Sequence, residues 1–337
     1  MTLSADIVKL LPEVARHRRA LHRIPELAWS EVLTQGYITG ELNGLGLKCK
    51  KLGTGVVCDL PGRNKKLLVA LRADMDGLAI QENGCAEYKS VHRGVMHACG
   101  HDGHMAMLLT LAGYFKENKP RHNLRLIFQP AEEGAAGAER LIEKGVLKGV
   151  DRIFALHLSP ALKIGEIALS AGAVMAGMVE FDIELTGAAA HCAEREKGAD
   201  AVLAGALFIT RMRELMRPYS GNNLFHVGKA VGGGARNVVA PDMKLCCTFR
   251  FFDGVKREEI MLKLAALLNK IKDETGVDNR LTVTAVYPVL YNNTDAVEYV
   301  KPLVDGIVEA APSFEHLLQP KVRDAPMTLS AATPFKA

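Results

Sequence analysis

Apolar positions in the first stretch of the chain fall on one helical face. Ile7, Leu10, Leu11, Val14 and Leu21 predict an amphipathic helix over about 5–22, and a second is predicted over about 30–45. The pattern then tightens into short apolar runs. Gly55 to Gly62 (GVVCDLPG) ends in Pro-Gly. Lys66 to Asp76 (KLLVALRADMD), Asn123 to Gly134 (NLRLIFQPAEEG) and Arg152 to Pro160 (RIFALHLSP) each end in acids or a histidine. These four runs predict buried strands. His104 to Asn118 and the segment AAGAERLIEKGV, stopping at Gly145, predict helices between them. Strands alternating with helices predict an α/β layer fold. In such folds ligands gather outside the carboxyl ends of the strands.

Past about residue 175 the pattern changes to alternation of apolar and polar positions. GMVEFDIELTG, NNLFHVGKAVGG, MKLCCTFRFFD and RLTVTAVYPVLY read as half-buried strands, and Ala199–Met216 and Lys256–Gly276 as long amphipathic helices. Strand–helix–strand–strand–helix–strand predicts a two-layer α/β sandwich with both helices on one face. The expected organisation is therefore discontinuous. Residues 1–175 plus 289–337, with a helix at about 294–311, form a catalytic domain with a mainly parallel sheet. Residues 176–288 form a smaller inserted lid.

Bulk properties narrow the classes. A chain of 337 residues exceeds one ordinary core of roughly 150 residues, in keeping with two domains. The net charge of +4 is spread along the chain. Its densest basic stretches, Arg16–Arg23 and Lys119–Leu126, are short and contain leucine, so no nucleic-acid surface is expected. No apolar run reaches the roughly 18 residues of a membrane span. The N-terminus lacks the apolar region of an export signal. Seven cysteines, an odd number, point to reduced thiols and a cytoplasmic protein.

The chemistry starts at Met96–His104, MHACGHDGH. Cys99 and His101 are flanked by Gly100 and Gly103, and thiolate with imidazole suits a late divalent metal. Alone, a Cys-x-His is more simply a loop with a buried cysteine and surface histidines. The strand ends change this reading. Glu132 and Glu133 close one strand, where alternation would point them to opposite sides. One could then hold a metal while the other stays free to carry a proton. His157, Asp74 and Asp76 occupy equivalent ends of neighbouring strands. Together these residues predict a metal-dependent hydrolase. A thiol enzyme using Cys99 would leave the acids unexplained.

LRADMD, MHACGHDGHMAML, FQPAEEGAAGAERLIEKGVL and FALHLSP, in this order, closely resemble the M20 metallopeptidase family in its amidohydrolase branch, which includes N-acyl-amino-acid and hippurate hydrolases. The resemblance extends to about residue 325. It implies an α/β catalytic domain interrupted by a lid that mediates homodimerisation, and two divalent metal ions, with zinc or manganese favoured and cobalt or nickel open. By motif, Cys99, His101, Glu133 and His157 resemble the metal ligands, with Cys99 in the bridging position. Glu132 resembles the general base acting on metal-activated water, and Asp74 an acid supporting the metals. His191 matches a residue that steadies the carbonyl oxygen, often across the dimer interface. Asn237 and Arg250 match the pair that binds the substrate carboxylate, although Arg250 also fits a plain exposed strand residue. His97 and His104 are expected to support the site, and Asp102 to orient His101. The implied substrate is a small N-acyl amino acid or related amide.

The pattern departs in three places. NVVAPD and AHCAEREKGAD differ from the usual N-V-I-P-D and H-A-A-x-P-H, which suggests a side branch with its own substrate, resembling aminobenzoyl-glutamate hydrolases in this respect. After LQPKV the family continues with a late histidine ligand. This chain reads RDAPMTLSAATPFKA, and no histidine follows His316. The expectation drawn from this is a truncated chain with an incomplete metal site. The alternative function is then a catalytically impaired dimerising or binding module.

Overall fold

The computed structural model describes residues 5–134, 136–163, 165–219, 221 and 223–304, together with the strand backbone of 309–310 and 327–332. His316 lies outside the described residues, as does the predicted helix beyond 304. The chain divides into two compact units, one comprising residues up to Gly172 and from Asn292 on, the other Ala173–Tyr291.

The first unit opens with α1 (Ala5–His22) and α2 (Val32–Gly44), then β1 (Cys49–Leu52), β2 (Gly55–Leu60) and β3 (Asn64–Asp74). It continues with α3 (His101–Glu117), β4 (His122–Gln129), α4 (Gly137–Glu143), β5 (Arg152–Leu158) and β6 (Glu166–Ala168). The second unit holds β7 (Gly172–Met175), β8 (Gly177–Thr186), α5 (Ala201–Met216), β9 (Asn223–Gly232), β10 (Asp242–Phe251), α6 (Gly254–Thr275), β11 (Asp278–Tyr287) and β12 (Leu290–Asn292). The chain returns to the first unit with α7 (Thr294–Val304), β13 (Glu309–Ala310) and β14 (Met327–Ala332).

The first unit is built on a mixed sheet in the order β1-β2-β4-β3-β5-β14-β6-β13. Its centre, β4-β3-β5, is parallel, and the β1–β2 hairpin extends it antiparallel. Strand alternation feeds both faces. Val56, Cys58, Leu60, Leu124, Leu126 and Phe128 meet Leu21 of α1, Ile38 and Leu42 of α2, and Met105 and Leu109 of α3. On the other face Val57, Ala70 and Ile127 meet Leu141 and Val146. Helices thus cover both faces, and the polar strand ends are left at one edge. The strand β1, and so the pairing of the predicted strand β2 into a hairpin, was not anticipated from the sequence. Its signal is the two-residue Gly53-Thr54 turn, with Gly53 at φ 64°.

In the second unit the order is β11-β8-β10-β9, all antiparallel. Phe181, Ile183, Leu245 and Phe249 pack against Phe208 of α5 and Ile260 and Leu264 of α6. Asp200 and Asp253 cap the two helices, each carboxylate accepting two backbone N–H groups. Such a cap contributes about 1 kcal/mol. Among the described residues, no helix is long and apolar enough to cross a membrane.

Candidate active site

Three strand ends and one helix start converge in the first unit. β3 ends at Asp74, and the chain runs on to Asp76. β4 hands over to a turn bearing Glu132 and Glu133. β5 carries His157, and Cys99 precedes α3, whose first residue is His101. Gly100 joins the last two at φ 83°, and a Cβ there would stand 2.9 Å from Leu158 Cδ1. Only glycine combines that conformation with that approach.

His101 is fully buried. Its Nδ1–H donates to the carbonyl oxygen of Asp76 at 2.8 Å, so in the neutral ring the lone pair is on Nε2. That nitrogen is buried without a hydrogen-bond partner. It stands 3.7 Å from Asp74 Oδ2 and 3.9 Å from both Glu132 Oε2 and Glu133 Oε1. His157 Nδ1–H donates to Leu158 O at 2.6 Å, and its Nε2 faces Cys99 Sγ at 3.4 Å. In both rings the outer hydrogen bond fixes the tautomer and exposes Nε2 to the cluster. The donor atoms of Cys99, His101 and His157 lie within 4.8 Å of one another, as do those of His101, Glu132 and Glu133.

Asp74 is braced rather than free. Its carboxylate accepts His104 Nδ1–H at 2.6 Å and Arg72 Nη1–H at 2.6 Å. His104 Nε2 in turn accepts the Leu158 N–H at 2.9 Å, so His104 ties β3 to β5 with both ring nitrogens committed. Asp76 accepts the backbone N–H groups of Glu132 and Glu133 at 3.0 and 2.9 Å.

The electrostatics describe a site short of positive charge. Burial opposes protonation of His101, but the acceptors of Asp76, Cys99 and Asp74 outweigh it and push its pKa up to about 11. A divalent cation answers the same deficit, and the bare Nε2 with its thiol and carboxylate neighbours fits one. Burial, joined by Asp74 and Glu133 and opposed by Arg72, pushes the Glu132 carboxyl up. For Asp74 burial also opposes charge, yet Arg72 and His104 hold it below the usual carboxylate range. Desolvation and the nearby His104 push His157 down, although its outer edge is open to solvent. The nearby His101 ring pulls the Cys99 thiol down, but burial and Glu133 leave it raised.

Two expectations are corrected. Glu132 and Glu133 do not alternate across a strand, because β4 ends at Gln129 and both carboxylates approach His101 from a turn. Asp102 does not orient His101. Its carboxylate accepts His22 Nδ1–H at 2.8 Å and Arg18 Nε–H at 3.2 Å, so it anchors α3 to α1. His97 is buried beside the His22 ring, and burial pushes it down to about 4. Glu31 was not anticipated. It is fully buried, and its oxygens accept the Thr54 hydroxyl at 2.6 Å and the Ala131 N–H at 2.7 Å. No local pattern marks it, since its partners lie 23 and 100 residues away.

The remaining candidates belong to the second unit. His191 Nδ1 accepts the Ala193 N–H at 3.2 Å, and its backbone bridges to Val238. Asn237 O accepts the Cys192 N–H at 3.0 Å, so His191 and Asn237 sit on adjoining loops. Arg250 is exposed on β10, between Leu224 of β9 and Met178 of β8.

An imidazole lone pair ringed by thiol and carboxylates, beside a carboxyl raised by burial, defines the class as a metal-dependent hydrolase. The chain belongs to peptidase family M20/M25/M40, whose model matches residues 70–332. It is 33% identical over 319 residues to an N-acetyldiaminopimelate deacetylase of Bacillus licheniformis, covering 90% of this chain and 84% of that protein. It is 36% identical over 312 residues to the IAA-amino acid hydrolase ILR1-like 2 of Arabidopsis thaliana, covering 88% and 70%. Among solved structures it superposes with a TM-score of 0.80 and 26% identity on the Bacillus subtilis YXEP protein, described as a dinuclear metal-binding M20 peptidase, covering 95% and 89%. The protein is accordingly a hydrolase acting on amide bonds.

Proposed function

We propose that this protein cleaves the amide bond of small N-acyl amino acids, with Cys99, His101, Glu133 and His157 holding two divalent cations. The observation that carries this reading is the buried, unpartnered Nε2 of His101, with carboxylate oxygens of Asp74, Glu132 and Glu133 at 3.7–3.9 Å. The donor set of thiol, imidazole and carboxylate favours zinc or manganese. When bound, the cations supply Lewis acidity, polarising the scissile carbonyl and acidifying water.

The protein's own groups do the rest. Glu132, raised by burial, takes the proton of the attacking water on a carboxylate oxygen and passes it to the departing amine nitrogen. Glu133 is reserved for cation binding. Asp74 and His104 hold the β3 and β5 ends in register. In the second unit, His191 steadies the carbonyl oxygen, and Asn237 with Arg250 grips the substrate carboxylate, for which a planar guanidinium is suited. We assign a homodimer formed through this unit, and a cytoplasmic setting in which all seven cysteines stand as free thiols.

The substrate class is supported by relatives named for removing acetyl or indole-acyl groups from amino acids. The test is release of free amine from N-acetyl, N-benzoyl and indole-acyl amino acids by chelator-stripped protein reloaded with zinc, manganese, cobalt or nickel. Turnover should return with metal. A metal-loaded protein inert on all of them would overturn the proposal.

A further inference from the structure

The β1–β2 hairpin sets Cys49 directly opposite Cys58. Opposed residues of an antiparallel pair have Cα atoms about 4.5–5.5 Å apart and side chains on the same face. That separation lies inside the roughly 4.4–6.8 Å window in which a disulfide closes without backbone movement. Both thiols face the α1–α2–α3 layer. Cys58 is 1% exposed within the core beside Val56 and Leu60, and Cys49 packs half-buried against it. Cys49 Sγ–H points to Leu47 O at 3.8 Å and Cys58 Sγ–H to Lys48 O at 3.7 Å. The facing Cys49 and burial push the Cys58 thiol up. Neither sulfur belongs to the metal cluster. Of the other cysteines, Cys246 and Cys247 are neighbours on one strand and point to opposite faces, so they do not form such a pair.

We propose that Cys49 and Cys58 are a peroxide-responsive dithiol that closes to a cross-strand disulfide. The Cys49 thiolate attacks one oxygen of hydrogen peroxide, giving a sulfenic acid and, after protonation of the leaving hydroxide, one water. The Cys58 sulfur then displaces the hydroxyl of that sulfenic acid, forming the S–S bond, and its own proton leaves with the hydroxyl as a second water. The two sulfurs together lose two electrons, and the peroxide is reduced to two waters. Cys49, the more accessible of the two sulfurs, is the attacking group, and buried Cys58 resolves it.

The bond would lock a hairpin whose tip is already held from α2. Gln35 Nε2 donates to Gly53 O at 2.8 Å and Gly55 O at 3.1 Å, and Thr54 donates to Glu31. The full chain, loaded with zinc so that Cys99 is protected, is treated with hydrogen peroxide, alkylated and mapped by mass spectrometry. The expected product is a peptide pair joining Cys49 to Cys58, lighter by two hydrogens, reversed by dithiothreitol and absent in Cys49→Ser. Peroxide-treated wild-type protein in which both thiols still alkylate, Cys49 stops at sulfinic acid, or either sulfur joins a different cysteine would overturn the proposal. The wild-type map decides the matter even where a variant folds poorly.

Discussion

The carboxylate of Glu31 accepts the backbone N–H of Ala131 at 2.7 Å, across 100 residues of chain. Ala131 sits at φ 51°, a left-handed conformation that costs a non-glycine residue, and it immediately precedes Glu132. Glu31 therefore holds the turn that aims the proposed base, while its other oxygen is tied to the hairpin tip at Thr54.

Glu31→Ala should lower kcat on the order of 10²-fold, with metal content unchanged, because a shift of about 1 Å in the base is that costly. Glu31→Gln should keep much of the rate, since its amide oxygen can accept from Ala131 and its NH₂ can donate to Thr54 Oγ1. Steady-state kinetics on metal-quantified protein checks both. Equal losses in the two variants would show that position 31 acts through its charge.

Glu132→Ala should retain both cations and lose turnover by about 10²–10⁴-fold, the usual contribution of a positioned general base. Glu133→Ala should lose metal as well. The comparison needs elemental analysis beside the rate assay, and a near-normal rate in Glu132→Ala would remove that residue from the mechanism.

Asp74→Asn should weaken metal binding by about 10–100-fold, the range seen when a group supporting a ligand is changed. The amide no longer neutralises Arg72, and it disturbs the bond that sets His104. Competition titration against a chromophoric chelator reads the change directly.

Gly137→Ala should be among the most damaging single methyl additions. A Cβ at this position would stand 1.7 Å from the carbonyl oxygen of Pro130, backbone that cannot step aside without moving the Glu132 turn. A loss of about 3 kcal/mol or more is expected, at or above the upper end of ordinary overpacking. The urea midpoint of the variant measures it. Gly134→Ala, with open space around its Cβ position but φ at 83°, should cost less.

His17 supplies a pH dependence remote from the metal cluster. Burial, helped by Arg16 and opposed by Glu41 and Glu13, lowers its pKa, and its Nδ1 pairs with the Tyr37 hydroxyl at 2.9 Å. The folded state thus binds a proton less readily than the unfolded chain. As pH falls through the ordinary histidine value of about 6.5 the unfolded chain protonates first, and stability declines. His17→Gln should flatten the part of the stability profile between pH 7 and 5 that this residue contributes, measured by urea unfolding at each pH.

Much of the site was legible because each strand is an apolar run with a polar residue at its end, and the parallel centre of the sheet collects those ends. That rule reaches Asp74 and His157, whereas Cys99 and His101 stood out only by their own spacing in MHACGHDGH, at the start of a helix. The position of Glu132 beside Glu133 at His101 was not legible, because it depends on where β4 stops and on a left-handed Ala131 that Glu31 stabilises from far away in sequence. Asp102 was misread for a similar reason. Adjacency to His101 says nothing about partners on α1, and on a helix consecutive side chains diverge. Strand β1 escaped because Lys50 and Lys51 interrupt its apolar pattern, leaving only the turn before β2 as a signal.

Asp76 touches the cluster at three points without offering it a side-chain ligand. Its carbonyl sets the His101 ring, and its two carboxylate oxygens seat the backbones of Glu132 and Glu133. Helix α3 and the turn after β4 are therefore gauged from one common datum. A substitution at Asp76 would release the imidazole and the carboxylate-bearing turn together, not one of them alone.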